Sequence, residues 1–449
     1  MQPQSPVLWP LTASINAHDQ LSIGGCDVVT LSREFGTPLY VFDEHTCHRT
    51  AAQFSSALQH SYPGASAVHY AGKALLNTAL AQLVTRWGLG LDCVSLGELA
   101  IARQAGVPLE HVHLHGNAKP RRELEQALDW GVGRIMVDSL DELRLLAELT
   151  RDRATPQSIL LRVNPGVDVH THAHIQTGQL DSKFGLPIAT GMALEAVKIA
   201  LDSPGLELVG LHAHLGSQIM ELEPLALGVE RLLAFAAELR ERFGWQLREL
   251  SPGGGLGVPY RAGDPEPEIA TYAQTLASAV VAGCERRQMP LPKLVIEPGR
   301  SLIARSIVAL YEVLSIKQIP DVRTFVAVDG GMGDNIRPAL YEARYTVARA
   351  DQMTAAPTER VTVVGRYCES GDVLLRDVDL PPLSPGALLA IPMAGAYTLS
   401  MASTYNLVPR PPLVLVRDGE AHVLQRRETF TDLTLRDLPA PPPAPDNQR

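Results

Sequence analysis

The sequence predicts a (β/α)8 barrel followed by a separate all-β domain. Short apolar runs alternate with helix-spaced segments eight times over about 250 residues, as a closed parallel barrel requires. Beyond about residue 305 the helical period gives way to β-type runs punctuated by Gly and Pro, which marks a second architecture. The chemically distinctive residues follow the barrel runs, at the end where such barrels carry their sites. An open doubly wound sheet is the alternative, but no Gly-x-Gly-x-x-Gly turn follows the first strand.

Residues 1–24 are weakly patterned. A helical stretch near Thr30 and the strand-like Pro38–Phe42 come next. Barrel strands are expected at 67–71, 89–94, 111–115, 134–137, 158–163, 208–213, 247–250 and 293–297. Helical spacing occupies 79–87, 98–105, 121–130, 140–149, 193–201 and 229–243. Later β-runs lie at 307–313, 324–328, 360–364, 388–392, 413–416 and 421–426. The expected division is an N-terminal segment 1–42 packing with the β-domain, a barrel at 43–304, the β-domain at 305–437 and a disordered proline-rich tail at 438–449.

A chain of 449 residues implies two to three domains. The net charge of −10 argues against a general nucleic-acid or anionic-membrane partner. The amino terminus shows neither a basic region nor an apolar core of a leader, and no apolar run reaches about 18 residues. Cysteines at 26, 47, 93, 284 and 368 form no Cys-x-x-Cys pair, so reduced thiols and a cytoplasmic setting are expected.

Lys73 ends Ser66-Ala-Val-His-Tyr-Ala-Gly-Lys73, just past a strand. A lysine in a loop is ordinarily solvated, but one at a barrel mouth becomes a nucleophile once its pKa falls. His214, Ser217 and Gln218 follow the sixth strand, Gly253-Gly254-Gly255 the seventh, and Glu297-Pro-Gly299-Arg300 close the eighth. Consecutive glycines let backbone N–H groups approach an anion, and barrels bind phosphate in the loops after strands seven and eight. Glu297 ends an apolar strand and needs a partner, either Arg300 or a protonated ring nitrogen. His212 and His214 alternate with Ala213 and so share a face. The runs His111–His115 and His170–His174 suggest a metal, but no carboxylate or cysteine pattern nearby completes a ligand set, and no metal is expected.

Together these parts resemble the pyridoxal-phosphate-dependent decarboxylases of the alanine-racemase-like fold. Arg162-Val-Asn-Pro-Gly-Val-Asp168, Asp181-Ser-Lys-Phe-Gly185, Val328-Asp-Gly-Gly-Met332, Asp334-Asn-Ile-Arg-Pro-Ala-Leu-Tyr341, Cys368-Glu-Ser-Gly-Asp372 and Gly395-Ala-Tyr397 narrow the resemblance to the diaminopimelate decarboxylase family, over about 36–432. The resemblance implies that pyridoxal 5'-phosphate is bound covalently by Lys73 and stacked on by His214. Ser217, Gly253, Gly254, Gly255, Gly299 and Tyr397 hold its phosphate, with Arg300 beside it, and Glu297 pairs with its ring nitrogen. It further implies that Arg300, Arg337 and Tyr341 grip the distal carboxylate of meso-diaminopimelate, with Tyr397 nearby, and that Glu369 takes the distal ammonium. Cys368 donates the replacing proton, and Cys368 and Glu369 come from the other subunit of a homodimer with shared sites. Decarboxylation favours a strong electron sink, hence the carboxylate Glu297, where a racemase of this fold places an arginine.

The expected reaction yields L-lysine and CO2. The alternative is decarboxylation of ornithine, arginine or carboxynorspermidine on the same scaffold. A catalytically silent homologue would have lost Lys73 or Cys368, and a metal-dependent hydrolase would leave Lys73 and the glycines without a role. The sequence departs from the family pattern at Gly72-Lys73-Ala-Leu-Leu-Asn77, Ser95-Leu-Gly-Glu98 and Gly116-Asn-Ala-Lys-Pro120.

Overall fold

In the computed structural model, which describes residues 1–167 and 182–442, eight parallel strands close into a barrel. They are β1 (Ser66–Ala71), β2 (Gly90–Cys93), β3 (Val112–Leu114), β4 (Arg134–Val137), β5 (Gln157–Asn164), β6 (Leu206–His212), β7 (Glu249–Gly253) and β8 (Lys293–Ile296). Each pairs with its sequence neighbour, and β8–β1 closes the ring. Strand alternation sends one row of side chains outward to the helices and the other into the barrel. Among the described residues the inward row supplies one small apolar cluster, Met136, Leu160 and Val209, and much of the remaining interior is polar. The Asp168 end of one motif, the run His170–His174 and Asp181 lie outside the described residues, as do residues 443–449 of the proline-rich tail.

The helices begin where their caps dictate. Asn77, Ser95 and Ser139 each accept the backbone N–H of the third residue of the helix that follows, at Thr78–Arg86, Leu96–Gln104 and Leu140–Thr150. Asn77 thus spends its side chain on a cap. Two helices that periodicity did not single out, Glu44–Ser61 and Ile269–Arg287, pack against each other outside β1 and β8. The buried face of the second is rich in Ala, Gly and Cys, which mutes the apolar contrast that marks a helix face in sequence.

The second body is a mixed sheet. Its longer strands are β9 (Ile307–Ile319), β10 (Arg323–Val328), β11 (Glu359–Val364), β12 (Val373–Leu380), β13 (Leu388–Ile391), β14 (Leu413–Arg417) and β15 (Glu420–Gln425), and the two-residue strand Ala348–Arg349 pairs with β13. β12, broken by charges, was not foreseen. The early strand Leu39–Asp43, buried throughout, inserts between β9 and β14. The polypeptide therefore starts its second body before building the first. Residues 14–27 form a small three-stranded sheet.

The bodies meet tightly at Gly395, where a Cβ would stand 2.0 Å from the Ile303 carbonyl oxygen. Gly395→Ala should cost about 1–3 kcal/mol through overpacking. Gly97→Ala, in an open helical position, should be neutral or stabilising. Thermal melts of the two variants check this, and equal melting temperatures would refute the tight junction.

Candidate active site

The carboxyl ends of the barrel strands and the loops of the sheet domain enclose one cleft. Its inner pocket is lined by Lys73, Asp92, His115, His214, Ser217, Gly255, Glu297, Gly299, Arg300 and Tyr397. It opens into a wider cleft reached by Arg162, Tyr260, Arg337 and Tyr341. Lys73 sits in a single tight turn, Gly72–Ala74, directly after β1. A Cβ on Gly72 would come within 2.8 Å of the Asp92 carbonyl oxygen, so only glycine lets the turn lie on β2. The Ala74 carbonyl accepts the Tyr397 N–H at 2.9 Å and the Ser400 hydroxyl at 3.0 Å. Tyr397 reaches this contact with φ of 59°, a left-handed conformation costly for a tyrosine. The turn carrying the lysine is therefore fixed from the other body.

Lys73 opens onto the cleft but is walled by protein. Loss of bulk water lowers its ammonium pKa, Glu297 pulls it back up, and Arg162 lowers it further. Glu297, just past β8, accepts the Ser251 hydroxyl on Oε1 at 2.5 Å and faces His212 Nε2 from Oε2 at 3.1 Å. Burial alone would raise its pKa, but His212 and His115 outweigh burial and hold it below the usual carboxylate range. Arg300 is not its partner, which corrects one expectation. After Pro298-Gly299 the chain turns into the short helix Arg300–Ile303, aiming the guanidinium along the mouth. There Nη1 donates to Tyr260 Oη at 2.6 Å and Nη2 to Ser217 Oγ at 3.0 Å.

His212 and His214 do share the interior face. Burial drives the His214 pKa well down, so its ring is neutral. The Gly254 N–H points to its Nδ1 at 3.4 Å, which places the ring proton on Nε2. The three glycines form a cradle no larger residue fits. Gly253 and Gly255 have φ of 79° and 98°, and a Cβ on Gly254 would meet the Glu297 carbonyl oxygen at 2.1 Å. At the mouth, Arg337 is buried, lies 4.7 Å above the Tyr260 ring and donates to Tyr345; the Arg300 guanidinium lies 4.9 Å over Tyr397. Tyr341 is 61% exposed at the cleft rim. Cys368 and Glu369 are exposed on a loop and line neither chamber of their own chain.

In three dimensions two carboxylates do accompany the His111–His115 run. His111 is exposed, but His113 and His115 point inward beside Asp92 and Glu297, with the nearest side-chain atoms of all four within 4.8 Å of one another. Sequence distance hides this because the carboxylates come from β2 and the end of β8 while both histidines come from β3 and its end. Asp92, His115 and Arg162 all sit near strand ends, so the rule that found Lys73 would have found them too. Tyr260, in an irregular segment, carries no such signal.

Residues 47–304 match the family model described as "Pyridoxal-dependent decarboxylase, pyridoxal binding domain". The chain is 42% identical over 428 residues to the diaminopimelate decarboxylase of Bacillus subtilis, covering 95% of this chain and 97% of that one. It is 44% identical over 440 residues to that of Synechocystis, covering 96% and 92%. Among solved structures it is similar to the M. jannaschii diaminopimelate decarboxylase in complex with L-lysine, with a TM-score of 0.90, 34% identity and coverage of 96% and 98%.

Desolvation and Glu297 act oppositely on Lys73, which gives a signed prediction. Reductive methylation across a pH series, read by mass spectrometry, should modify Lys73 at lower pH than surface lysines such as Lys198. Glu297→Gln should move that reactivity lower still, because it removes the anion that favours the ammonium. A shift to higher pH would contradict this electrostatic account.

Proposed function

The chain belongs to the diaminopimelate decarboxylase family of pyridoxal-dependent decarboxylases, and we propose that it converts meso-2,6-diaminopimelate to L-lysine and CO2. One observation carries the substrate reading: two guanidiniums, Arg300 and the buried Arg337, face the same cleft as Lys73 and Glu297. A substrate with a distal carboxylate answers them. Ornithine or lysine would leave the buried Arg337 and the half-buried Arg300 without an anionic partner, which penalises such substrates.

The pocket fits pyridoxal 5'-phosphate. The glycine cradle admits an anion where any Cβ would collide, and Arg300 Nε is buried without a hydrogen-bond partner among the described residues. When bound, that cofactor supplies a conjugated ring able to accept the electron pair left as CO2 departs. Lys73 is the amine that holds it, its lowered pKa easing deprotonation. Ser217, Gly253, Gly254, Gly255, Gly299 and Tyr397 take the phosphate. The neutral His214 ring lies against the cofactor's face. The anion of Glu297 favours a proton on the ring nitrogen. Arg300, Arg337 and Tyr341 bind the distal carboxylate, with Tyr397 at the same wall, and Glu369 the distal ammonium. Cys368 Sγ delivers a proton to the α-carbon.

Cys368 and Glu369 serve the site of a second subunit in a homodimer, a reading supported by their exposure outside their own cleft. We divide the chain at 42/43, 304/305 and 437/438; the seating of Leu39–Asp43 in the sheet supports an N-terminal segment shared with the β-domain. Five free cysteines support a cytoplasmic setting. No described helix is long and apolar enough to cross a membrane.

Carbon dioxide release by the cofactor-loaded protein should be seen with meso-diaminopimelate and not with ornithine, lysine or arginine at equal concentration. Preference for a monocarboxylate would overturn the arginine argument while leaving the cofactor site intact. Mixing inactive Lys73→Ala and Cys368→Ala chains should restore about a quarter of wild-type turnover, the statistical yield of intact sites in a randomly assorted dimer. No recovery after verified subunit exchange would refute the shared site.

A further inference from the structure

Below the pocket, the barrel axis holds a continuous column of ionisable side chains. His115 Nε2 stands between two carboxylates, 3.6 Å from Asp92 Oδ1 and 3.9 Å from Glu297 Oε1. Behind Asp92, His69 Nδ1 approaches at 3.3 Å and His113 Nδ1 at 3.6 Å, with the two rings stacked 3.8 Å apart. His113 Nε2 continues to Glu249 Oε1 at 3.8 Å, and Glu249 Oε2 reaches Arg134 Nε at 3.4 Å and Lys293 Nζ at 3.9 Å. The imidazole and carboxylate members are each under a tenth exposed. Among the described residues, both Asp92 oxygens, His69 Nδ1, His113 Nδ1 and His115 Nε2 have no closer hydrogen-bond partner, so these groups are aimed at one another.

Buried carboxylates this close need positive charge between them. The permanent cations of the column, Arg134 and Lys293, lie at its lower end, and Lys73 and Arg162 flank its upper end. Burial would raise the Asp92 carboxyl, but His115 and His69 overcome it and keep it ionised, as His212 and His115 do for Glu297. Burial drives the His113 pKa well down, with His69 and His115 adding to the shift and Glu297 opposing it. Glu297 is faced by Lys73, Asp92, His115, Arg162, His212, His214, Ser251 and the more distant Tyr272. Of these only Asp92 is an acid, and the column answers that acid from behind.

We propose that Asp92, His113 and His69 are positioning residues that fix His115 as the proton carrier shared by Asp92 and Glu297, and so keep Glu297 anionic toward the cofactor's ring nitrogen. This rests on the role given to Glu297 above. A metal on Asp92, His113, His115 and Glu297 is the competing reading. It would engage the Glu297 carboxylate that the proposed function gives to the ring nitrogen, and it leaves His69 and the continuation to Glu249 unexplained.

The test uses cofactor-loaded enzyme and compares Glu297→Gln, Asp92→Asn, His113→Phe and His113→Gln. The readouts are the pH titration of the cofactor's absorption band and the split between kcat and KM. Asp92→Asn and His113→Phe should lower the pH midpoint by about one unit and kcat about tenfold, with KM nearly unchanged. Loading with a cofactor analogue that carries carbon in place of the ring nitrogen should abolish these penalties. If Glu297→Gln moves the midpoint and the column variants do not, the column proposal falls. If Glu297→Gln does not move it, the Glu297 reading falls first. A kcat loss undiminished in the analogue-loaded enzyme marks a merely structural role and overturns the proposal. So does one equivalent of a divalent ion found by elemental analysis in wild type and lost in His113→Phe. Should His113→Phe not fold, the polar His113→Gln, which does not touch the pocket and changes no carboxylate, decides by the same two readouts.

Discussion

A carboxylate buried at the end of a barrel strand is the constraint around which the structure is arranged. Glu297 has almost no access to water, and a charge in that position survives only with partners on several sides. The barrel supplies them one strand at a time: Ser251 from β7, His212 from β6 and His115 past β3. The interior is correspondingly polar where barrels of this type are usually filled with aliphatic layers, and its apolar plug is reduced to Met136, Leu160 and Val209. Packing stability is given up for a fixed field at one atom, and the same field tempers the desolvation of Lys73.

The second constraint is that the barrel does not make the cleft alone. The Lys73 turn is tied to the sheet domain through the Ala74 carbonyl, and Arg337 comes from that domain entirely. Its segment is anchored by Asp334, whose carboxylate accepts the Gly331 N–H at 2.8 Å, the Tyr40 hydroxyl at 3.0 Å and the Tyr311 hydroxyl at 2.5 Å. Burial lifts the Asp334 carboxyl to about 6 in spite of these donors. Tyr40 lies on the early strand Leu39–Asp43, so the placement of a cleft arginine depends on residues some 300 positions upstream. Insertion of that strand into the sheet is part of building the site.

The mouth shows how fixed donors can be kept ready for an anion. Among the described residues, Arg300 and Arg337 are held by tyrosine hydroxyls and ring faces, not by carboxylates. Neutral partners orient a guanidinium without cancelling its charge. A carboxylate in their place would have satisfied them permanently. Burial and aromatic packing reduce the side-chain entropy lost when an anion arrives.

Much of this was determined by the sequence itself. The two- and 3.6-residue periods specify the barrel strands and most helices because burial on one face is a local pattern. Lys73, the triple glycine and the Glu297–Arg300 run are visible because each follows a strand end. The helix Ile269–Arg287 and the strand β12 escaped because small or charged residues blur the period there. What only the tertiary structure decided is which polar groups meet. Asp92 lies on β2 while His115 and Glu297 follow the ends of β3 and β8, and Arg300 passes over nearby Glu297 for Tyr260 and Ser217. Electrostatic partnership depends on distance in space, and barrel closure, which brings β8 beside β1 and both near β3, is where that distance is set.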